Sequence, residues 1–339
     1  MNAVANIICS KNARLAGVFV SFPGFAALAG AIVFAILLGG CAAPQTRELL
    51  QDEKLKLPAR AELTKVPFFP QDEYQCGPAA LATVLQAAGR PVTPAELVPL
   101  VYVPERRGSF QVEMIAAARR YHMVAVPLQP YVEDVLREVA AGNPVLVLQN
   151  LALSFAPQWH YAVVVGYDLD EAKLILRSGQ YERLVTSMST FERTWARSEY
   201  WAIVALPPDR MPVTVTQSAY AEAAVALETK GYIAGARTAY QTALRRWPRN
   251  QAALINTGNI AYRDKDLPAA ERAFRRAAQL YPNSGIALNN LAQVLLDQDN
   301  LDEAHRMARL AVSKGGATLT QARQTLAEIE AKRANVPRN

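Results

Sequence analysis

The sequence contains few of the residues that metal, phosphate and disulfide chemistry require. Its 339 residues include three cysteines and three histidines, with no Cys-x-x-Cys or His-Glu-x-x-His pattern. No closely spaced ligand cluster or glycine-rich phosphate loop is present, so the sequence predicts neither a metal site nor a cofactor. The cysteines are Cys9, Cys41 and Cys76. Because the first two lie in or next to an N-terminal export segment, Cys76 has no evident disulfide partner.

The sequence also lacks a strong charge of either sign. Lysine and arginine number 36 against 30 acidic residues, a formal charge of +6. The basic residues are scattered and form no stripe interleaved with aromatics, so nucleic acid is not an expected partner. With 51% hydrophobic and 19% charged residues, the composition is that of a globular protein long enough for two domains.

The first forty residues have the pattern of an export signal. Lys11 and Arg14 precede an almost uncharged apolar run that ends in Leu-Gly-Gly-Cys41. This end resembles a bacterial lipobox, so residues 1–40 are predicted to be a cleaved signal peptide and Cys41 the lipidated N-terminus. Because Ala42 is not aspartate, we expect a lipoprotein of the outer membrane facing the periplasm. An uncleaved anchor stays open as an alternative, since roughly 20 apolar residues suffice to span a bilayer.

The next segments predict a polar tether, at 41–63, and then an α+β domain, at 64–207. Helical spacing of apolar residues over 77–89 is followed by a cap-proline-glutamate start at Thr93 and a third helix over 109–121. Short runs rich in β-branched and aromatic residues then predict strands over 124–128, 145–149, 161–167, 173–176 and 200–206. Helices first and an antiparallel sheet afterwards indicate the α+β class.

The C-terminal part repeats with a period of 34 residues. After a proline-rich linker at 208–216, alanine recurs at Ala236, Ala270 and Ala304. Small residues where two helices cross, with an aromatic one turn later, are typical of stacked helical pairs. The pattern is similar to the tetratricopeptide repeat. Residues 217–335 are therefore predicted to form an all-α repeat solenoid with a capping helix, which would dock a protein partner.

Cys76 and His160 are the candidate catalytic pair. Cys76 stands at a predicted helix start, where the positive end of the helix dipole favours a thiolate. His160 opens a valine-rich strand, so a rigid sheet would hold its imidazole. A thiol beside an imidazole is the arrangement of nucleophilic catalysis at a cysteine.

These residues carry a family resemblance. Gln-x4-Cys-Gly-Pro-Ala-Ala-Leu and, about 84 residues later, His-Tyr-Ala-Val-Val-Val-Gly-Tyr-Asp resemble the papain-like, bacteriocin-processing peptidases that cleave double-glycine leaders. The resemblance implies that Cys76 is the nucleophile, that His160 is the general base, and that Gln71 donates to the oxyanion with the Cys76 amide.

The chain departs from that family pattern at three positions. Gln71 precedes the cysteine by five residues rather than the commoner six, and Gln75 replaces the usual aspartate. Ser178 stands where the family places the aspartate that orients the histidine. Ser178 is therefore a candidate weak orienting residue, with Asp168 and Asn150 as further substitutes.

Three functions remain open at this stage. The first is a membrane-tethered cysteine peptidase acting on a peptide or protein substrate, with the repeats docking substrate or partner. The second, which the missing acid motivates, is a catalytically degenerate envelope adaptor that only binds peptide. The third is an acyl or amide transferase that uses the same two residues, because the residues do not decide whether water or an amine accepts the acyl group.

Overall fold

The computed structural model describes residues 43–70, 75–106 and 108–335. The predicted signal peptide and Cys41 lie outside this range, as does Gln71. Over the described residues, no helix is both long and apolar enough to cross a bilayer.

The first half of the described chain is a sheet with helices on both faces. Its helices are α1 (Pro44–Gln51), α2 (Cys76–Ala87), α3 (Pro94–Val101), α4 (Gln111–Arg120), α5 (Val132–Ala140) and α6 (Met188–Ala196). Its strands are β1 (Arg60–Glu62), β2 (Tyr102–Val103), β3 (Gly108–Ser109), β4 (Val124–Pro127), β5 (Val145–Asn150), β6 (Trp159–Asp168), β7 (Lys173–Ser178), β8 (Tyr181–Ser187) and β9 (Ala202–Leu206). The five predicted strands and three predicted helices are all present, whereas α1, α5, α6, β1, β2, β3 and β8 were not predicted.

The main sheet is antiparallel and has the order β4-β9-β5-β6-β7-β8. The short strand β1 pairs with the last residues of β6, beyond the end of β5. Gly166 of β6 lies at this crossing, where an added Cβ would be 2.8 Å from the Ala61 carbonyl oxygen. A side chain there would separate the strands, so glycine is required for the close approach.

Alternation along β6 divides the domain into two cores. Tyr161, Val163 and Val165 face the core that contains α2, α3 and α4. Ala162 and Val164 face the opposite core, beneath α1, α5 and α6. Because side chains alternate across a strand, one valine-rich strand supports both layers. Helix α2, which carries Cys76, therefore lies against the central strand of the sheet.

The structure differs from the predicted tether over its described residues. Pro44–Gln51 form α1, which packs against the domain through Leu49. The buried Glu192 carboxylate accepts hydrogen bonds from the backbone N–H groups of Gln45 at 3.0 Å and Thr46 at 2.7 Å. A carboxylate at a helix N-terminus satisfies unpaired donors and favours the helix dipole. The polar composition of this segment did not predict the helix, whose N-terminus is bound by the distant residue Glu192.

The second half is a helical array, as predicted. Its helices are α7 (Gln217–Thr229), α8 (Ile233–Arg246), α9 (Gln251–Arg263), α10 (Leu267–Leu280), α11 (Gly285–Asp297), α12 (Leu301–Lys314) and α13 (Leu319–Ala334). In the middle pair, a Cβ on Gly258 would be 2.7 Å from Cδ1 of Phe274, so glycine allows the aromatic ring to seat between α9 and α10. The recurring Ala236, Ala270 and Ala304 are all buried. The predicted fold class, an α+β domain followed by an all-α solenoid, is confirmed.

The linker joins the two halves through buried hydrogen bonds. The Pro208 carbonyl accepts from the Tyr220 hydroxyl at 3.1 Å and from the Thr242 hydroxyl at 2.8 Å. Val124 and Val126 of the edge strand β4 pack into the apolar core of the first repeat. The first repeat therefore packs against side chains of the edge strand β4.

Candidate active site

Cys76 is the first residue of α2, and its thiol is partly buried against the sheet. The next residue, Gly77, admits β3 at this point, because an added Cβ would be 2.7 Å from Cβ of Ser109. The Tyr161 hydroxyl donates to the Ser109 carbonyl at 3.1 Å and so fixes β3 over the helix start. The Gly-Pro sequence after the cysteine thus serves close packing as well as helix initiation.

The environment of the thiol favours its neutral form. Burial raises the pKa of the Cys76 thiol, and hydrogen bonding from the backbone of Tyr161, Gly77 and Cys76 only partly offsets this. Cys76 packs against the core that contains Tyr161, the residue that follows His160 on β6.

His160 forms one resolved side-chain hydrogen bond. Its Nε2 atom is 2.8 Å from Oγ of Ser178, the last residue of β7. Ser178 is buried, and burial lowers the pKa of His160. A neutral imidazole that donates from Nε2 to the serine has an unprotonated Nδ1, which is the nitrogen that can accept a proton.

The other candidates for orienting His160 are engaged elsewhere. Asp168 forms an ion pair with Arg60 at 2.9 Å and accepts the backbone N–H of Glu171 at 3.0 Å. Asn150 holds the β5–β6 loop, because its Oδ1 accepts the backbone N–H of Gln158 at 2.9 Å. Of the three sequence candidates, Ser178 is the one within hydrogen-bonding distance of the imidazole.

Arg177 was not identified from the sequence. It is 5% exposed, and its guanidinium donates to the Val66 carbonyl at 3.1 Å and to the carbonyls of Thr64 and Glu182. It thereby ties β7 to the chain just before the segment that contains Gln71. A charged residue inside an apolar strand was the available sequence signal, since such residues are almost never buried unless paired.

An apolar loop adjoins His160. Between β5 and β6, Leu153 is 55% exposed and Phe155 is 84% exposed, and Trp159 next to the histidine is 52% exposed. The loop is held by Asn150 and by Arg197, which donates to the Ala152 carbonyl at 2.8 Å. Large exposed apolar groups beside a polar site are typical of a surface that contacts a ligand.

No metal-binding group was found in the part of the chain that the structure describes: no three histidine, cysteine or acidic side chains there are close enough to hold an ion. Cys76, His160 and Ser178 are the kinds of residue that acyl transfer at sulfur uses as nucleophile, base and orienting partner.

Family models match both halves of the chain. A model of the "Peptidase_C39 like family" matches residues 63–203, and two tetratricopeptide-repeat models match residues 220–285 and 273–306. A search of curated proteins finds no match.

Several solved structures are similar to parts of the chain. A putative C39-like peptidase from Bacillus anthracis is 21% identical, with 43% of this chain and 97% of that chain covered and a TM-score of 0.38. The first TPR of Spaghetti (RPAP3), bound to the HSP90 peptide SRMEEVD, is 18% identical, with coverages of 35% and 94% and a TM-score of 0.33. The TPR2B domain of yeast Sti1, in a pHsp70 complex, is 20% identical, with coverages of 34% and 98% and a TM-score of 0.32.

The family matches agree with the order of elements and with the sequence resemblance. Residues 63–203 are therefore similar to the C39-like peptidase family, and residues 220–306 are similar to tetratricopeptide repeats.

Proposed function

We propose that this protein is a cysteine peptidase that cleaves peptide or amide bonds through a thioester on Cys76. The observation that carries the proposal is the position of Cys76, which begins α2 and packs against the core that contains Tyr161, the residue after His160. The match to the C39-like peptidase family supports the same reaction class.

In the acylation step, the Cys76 sulfur attacks the substrate carbonyl carbon while His160 accepts the thiol proton. Nδ1 is the proposed acceptor, because Nε2 is engaged with Ser178. Collapse of the tetrahedral intermediate breaks the C–N bond, and the imidazolium returns its proton to the leaving amine. In the second step His160 removes a proton from a water molecule as the water oxygen attacks the thioester. The C–S bond then breaks, the imidazolium returns the proton to the Cys76 sulfur, and the product acid leaves and ionises to its carboxylate.

Backbone N–H groups at the start of α2 are the proposed oxyanion donors. The Cys76 amide lies at the helix N-terminus, where N–H groups lack intrahelical partners. Gln71 is proposed as the second donor from the family resemblance. Donors of this kind stabilise the negative charge that develops on the carbonyl oxygen.

The proposed resting enzyme contains a neutral thiol and a neutral imidazole. Burial raises the pKa of Cys76 and lowers the pKa of His160, so neither shift favours a thiolate–imidazolium pair. The proton then moves from the thiol to His160 during the attack. The negative charge that develops on the substrate oxygen compensates for the positive charge on the imidazolium. The sulfur is protected from oxidation before substrate binds, because the thiolate is the reactive form.

The test compares the labelling of Cys76 with peptide hydrolysis. Iodoacetamide labelling, read by mass spectrometry on the Cys76 peptide, and cleavage of a peptide-substrate library are measured for the wild type, Cys76→Ala and His160→Ala. We expect Cys76→Ala to abolish both, and His160→Ala to slow both by about 100-fold, the typical contribution of a positioned general base.

His305→Ala is the matched control, since His305 lies on a repeat helix and contacts Glu330. It should change neither rate. Library cleavage by Cys76→Ala at the wild-type rate would exclude the proposal. Circular dichroism of each variant shows whether the fold is retained.

A second function, a peptide-binding adaptor, is favoured by one observation. Ser178 has no negative charge with which to stabilise an imidazolium, and orienting acids contribute orders of magnitude in related triads. For an adaptor, His160→Ala would leave Cys76 labelling unchanged, and the library would bind without being cleaved. The same experiment therefore separates the two functions.

We also propose that Cys41 tethers the protein to a membrane. The support is the sequence pattern that precedes it. A Cys41→Ser protein should no longer incorporate radiolabelled palmitate and should leave the membrane fraction. Continued fractionation with membranes without label would indicate an uncleaved anchor instead.

A further inference from the structure

The loop between β5 and β6 presents apolar side chains on a turn that is held by hydrogen bonds. At its base, Oδ1 of Asn150 accepts two backbone N–H groups of the loop, at 3.1 Å and 2.9 Å. At its far end, the backbone N–H of Ala156 donates to the Leu153 carbonyl at 3.1 Å. Phe155 therefore lies at the tip of a closed turn, where it is exposed. Residues 151–159 contain no charged side chain, so a fixed backbone presents an uncharged apolar surface.

The shape of this turn favours a bilayer over a peptide as its partner. Binding pockets are concave and bury most of the group that they hold. Phe155 is 84% exposed at the tip of the turn, and Leu153 and Trp159 are more than half exposed, so these side chains do not enclose a pocket. Exposed leucine, phenylalanine and tryptophan side chains are the groups that enter the interface of a bilayer, where tryptophan is enriched.

The helix beside the loop carries a charge that complements an anionic membrane. Arg197, directly after α6, donates to a carbonyl of the loop at 2.8 Å. Arg193, one turn earlier, is partly exposed and donates to the Thr190 hydroxyl at 3.0 Å. The acid of this helix, Glu192, is buried and bound to α1, which leaves Glu199 as the exposed acid that follows the two arginines. Basic residues next to a membrane are attracted to anionic headgroups.

The proposed lipid anchor is attached near the other end of the same helix. Ala43 and Ser189 line one cavity at the first turn of α6, whereas the loop is bound at the end of α6. A helix of nine residues is about 14 Å long. Cys41 precedes Ala43 by two residues, which span at most about 7 Å. A lipid on Cys41 and the apolar turn can therefore reach the same bilayer surface.

We propose that residues 151–159, which we call the docking loop, insert into the surface of an anionic phospholipid bilayer while Arg193 and Arg197 contact its headgroups. The inference adds a second membrane contact to the proposed lipid tether and rests on that tether only for the position of the anchor. Because Trp159 precedes His160 in β6, docking brings the candidate active site to chains that lie at the same membrane surface.

Vesicle flotation tests this contact without the lipid. The protein is the chain from residue 41 onward with Cys41→Ser, which lacks the signal peptide and retains Ala43–Asn339, a compact unit by itself. Vesicles of phosphatidylglycerol and phosphatidylethanolamine are compared with vesicles of phosphatidylcholine. We expect the anionic vesicles to bind at least about fivefold more tightly, and added salt to reduce this preference.

Two variants with matched controls identify the surface. The double variant Leu153→Ser, Phe155→Ser should weaken binding to anionic vesicles at least about tenfold, because it removes two apolar side chains from the interface. Leu310→Ser, at a position of α12 that is 44% exposed, should leave binding unchanged. Arg193→Gln should weaken binding about fivefold, and the exposed Arg120→Gln, on the opposite face of the sheet, should not.

Each outcome decides the proposal. Absence of binding to both kinds of vesicle, or equal binding by the double variant and the wild type, would overturn it. Loss of peptide hydrolysis in the double variant with unchanged vesicle binding would assign the docking loop to substrate instead. Cys76→Ala should bind vesicles as the wild type does, so a failure of the catalytic proposal would leave this result unaffected. Circular dichroism of each variant checks that the fold is retained.

Discussion

Buried polar groups differ in their surroundings between two places. At the helix-packed face of the sheet they are satisfied by several hydrogen bonds, whereas at the candidate active site burial is the main influence. Beneath the linker, the fully buried Glu138 accepts hydrogen bonds from the Thr214 amide at 2.7 Å, the Thr214 hydroxyl at 2.6 Å and the Asn143 side chain at 2.7 Å. At the active site, burial is the largest influence on the pKa of both Cys76 and His160.

The difference separates polar groups that maintain the fold from those available for chemistry. A buried carboxylate that accepts several hydrogen bonds is held in one geometry, which suits a connection between domains. Burial disfavours the charged forms of a thiol and an imidazole. These groups can change protonation when a substrate supplies the compensating charge. Perturbed groups of this kind cluster at functional sites.

The largest expected effect is on the structural side of this comparison. Glu138→Ala removes the acceptor for three donors and leaves them buried. We expect a loss of about 3 kcal/mol in the free energy of unfolding, measured from the urea midpoint. The exposed Glu133→Ala, on the same helix, should shift the midpoint little. A Glu138→Ala protein as stable as its control would remove the distinction between the two regions.

A charge introduced at the active site tests the other side. In Ser178→Asp, a carboxylate would face Nε2 of His160 and raise the pKa of the imidazole, which burial lowers in the wild type. The acidic limb of the pH–rate profile should therefore move to higher pH. Iodoacetamide labelling of Cys76 at pH 7 should become about tenfold faster, since an imidazolium stabilises the thiolate.

Ser178→Asn is the neutral control for this charge. Its side chain offers a hydrogen bond of similar reach without the negative charge, so the pH profile should stay close to that of the wild type. Equal rates of Cys76 labelling in Ser178→Asp and Ser178→Asn would show that a negative charge beside Nε2 of His160 does not control the reactivity of the thiol. The orienting role proposed for Ser178 would then be lost.

Local sequence patterns predicted the helical array and the position of His160 in the candidate active site. The 34-residue period placed Ala270 and Phe274 in the core, and the strand pattern after His160 placed that residue at the start of β6. Each of these depends on near neighbours in sequence. Arg177 and Glu192 bind groups more than 100 residues away, so a local pattern could mark Arg177 as unusual in an apolar strand but could not identify the partners of either residue.

The smallest expected effect concerns polar groups that are hydrogen-bonded but only partly buried. Arg275 bridges Glu271 on its own helix and Glu303 on α12, at 2.7 Å and 2.5 Å. Because solvent screens such pairs, Arg275→Met should lower the free energy of unfolding at pH 7 by only about 1 kcal/mol, and the exposed Arg272→Met by less.

At low pH, the contribution of Arg275 to the free energy of unfolding should become smaller still. The hydrogen bond from Arg275 lowers the pKa of Glu303 in the folded protein. The stabilisation is therefore present above the unfolded pKa of about 4.3 and is lost as the pH falls through the lower folded value. Urea titrations of Arg275→Met and wild type should converge as the pH falls below the folded-state pKa of Glu303. A difference as large as that for Glu138→Ala, or one independent of pH, would mean that hydrogen bonding rather than burial sets the energetic rank of these groups.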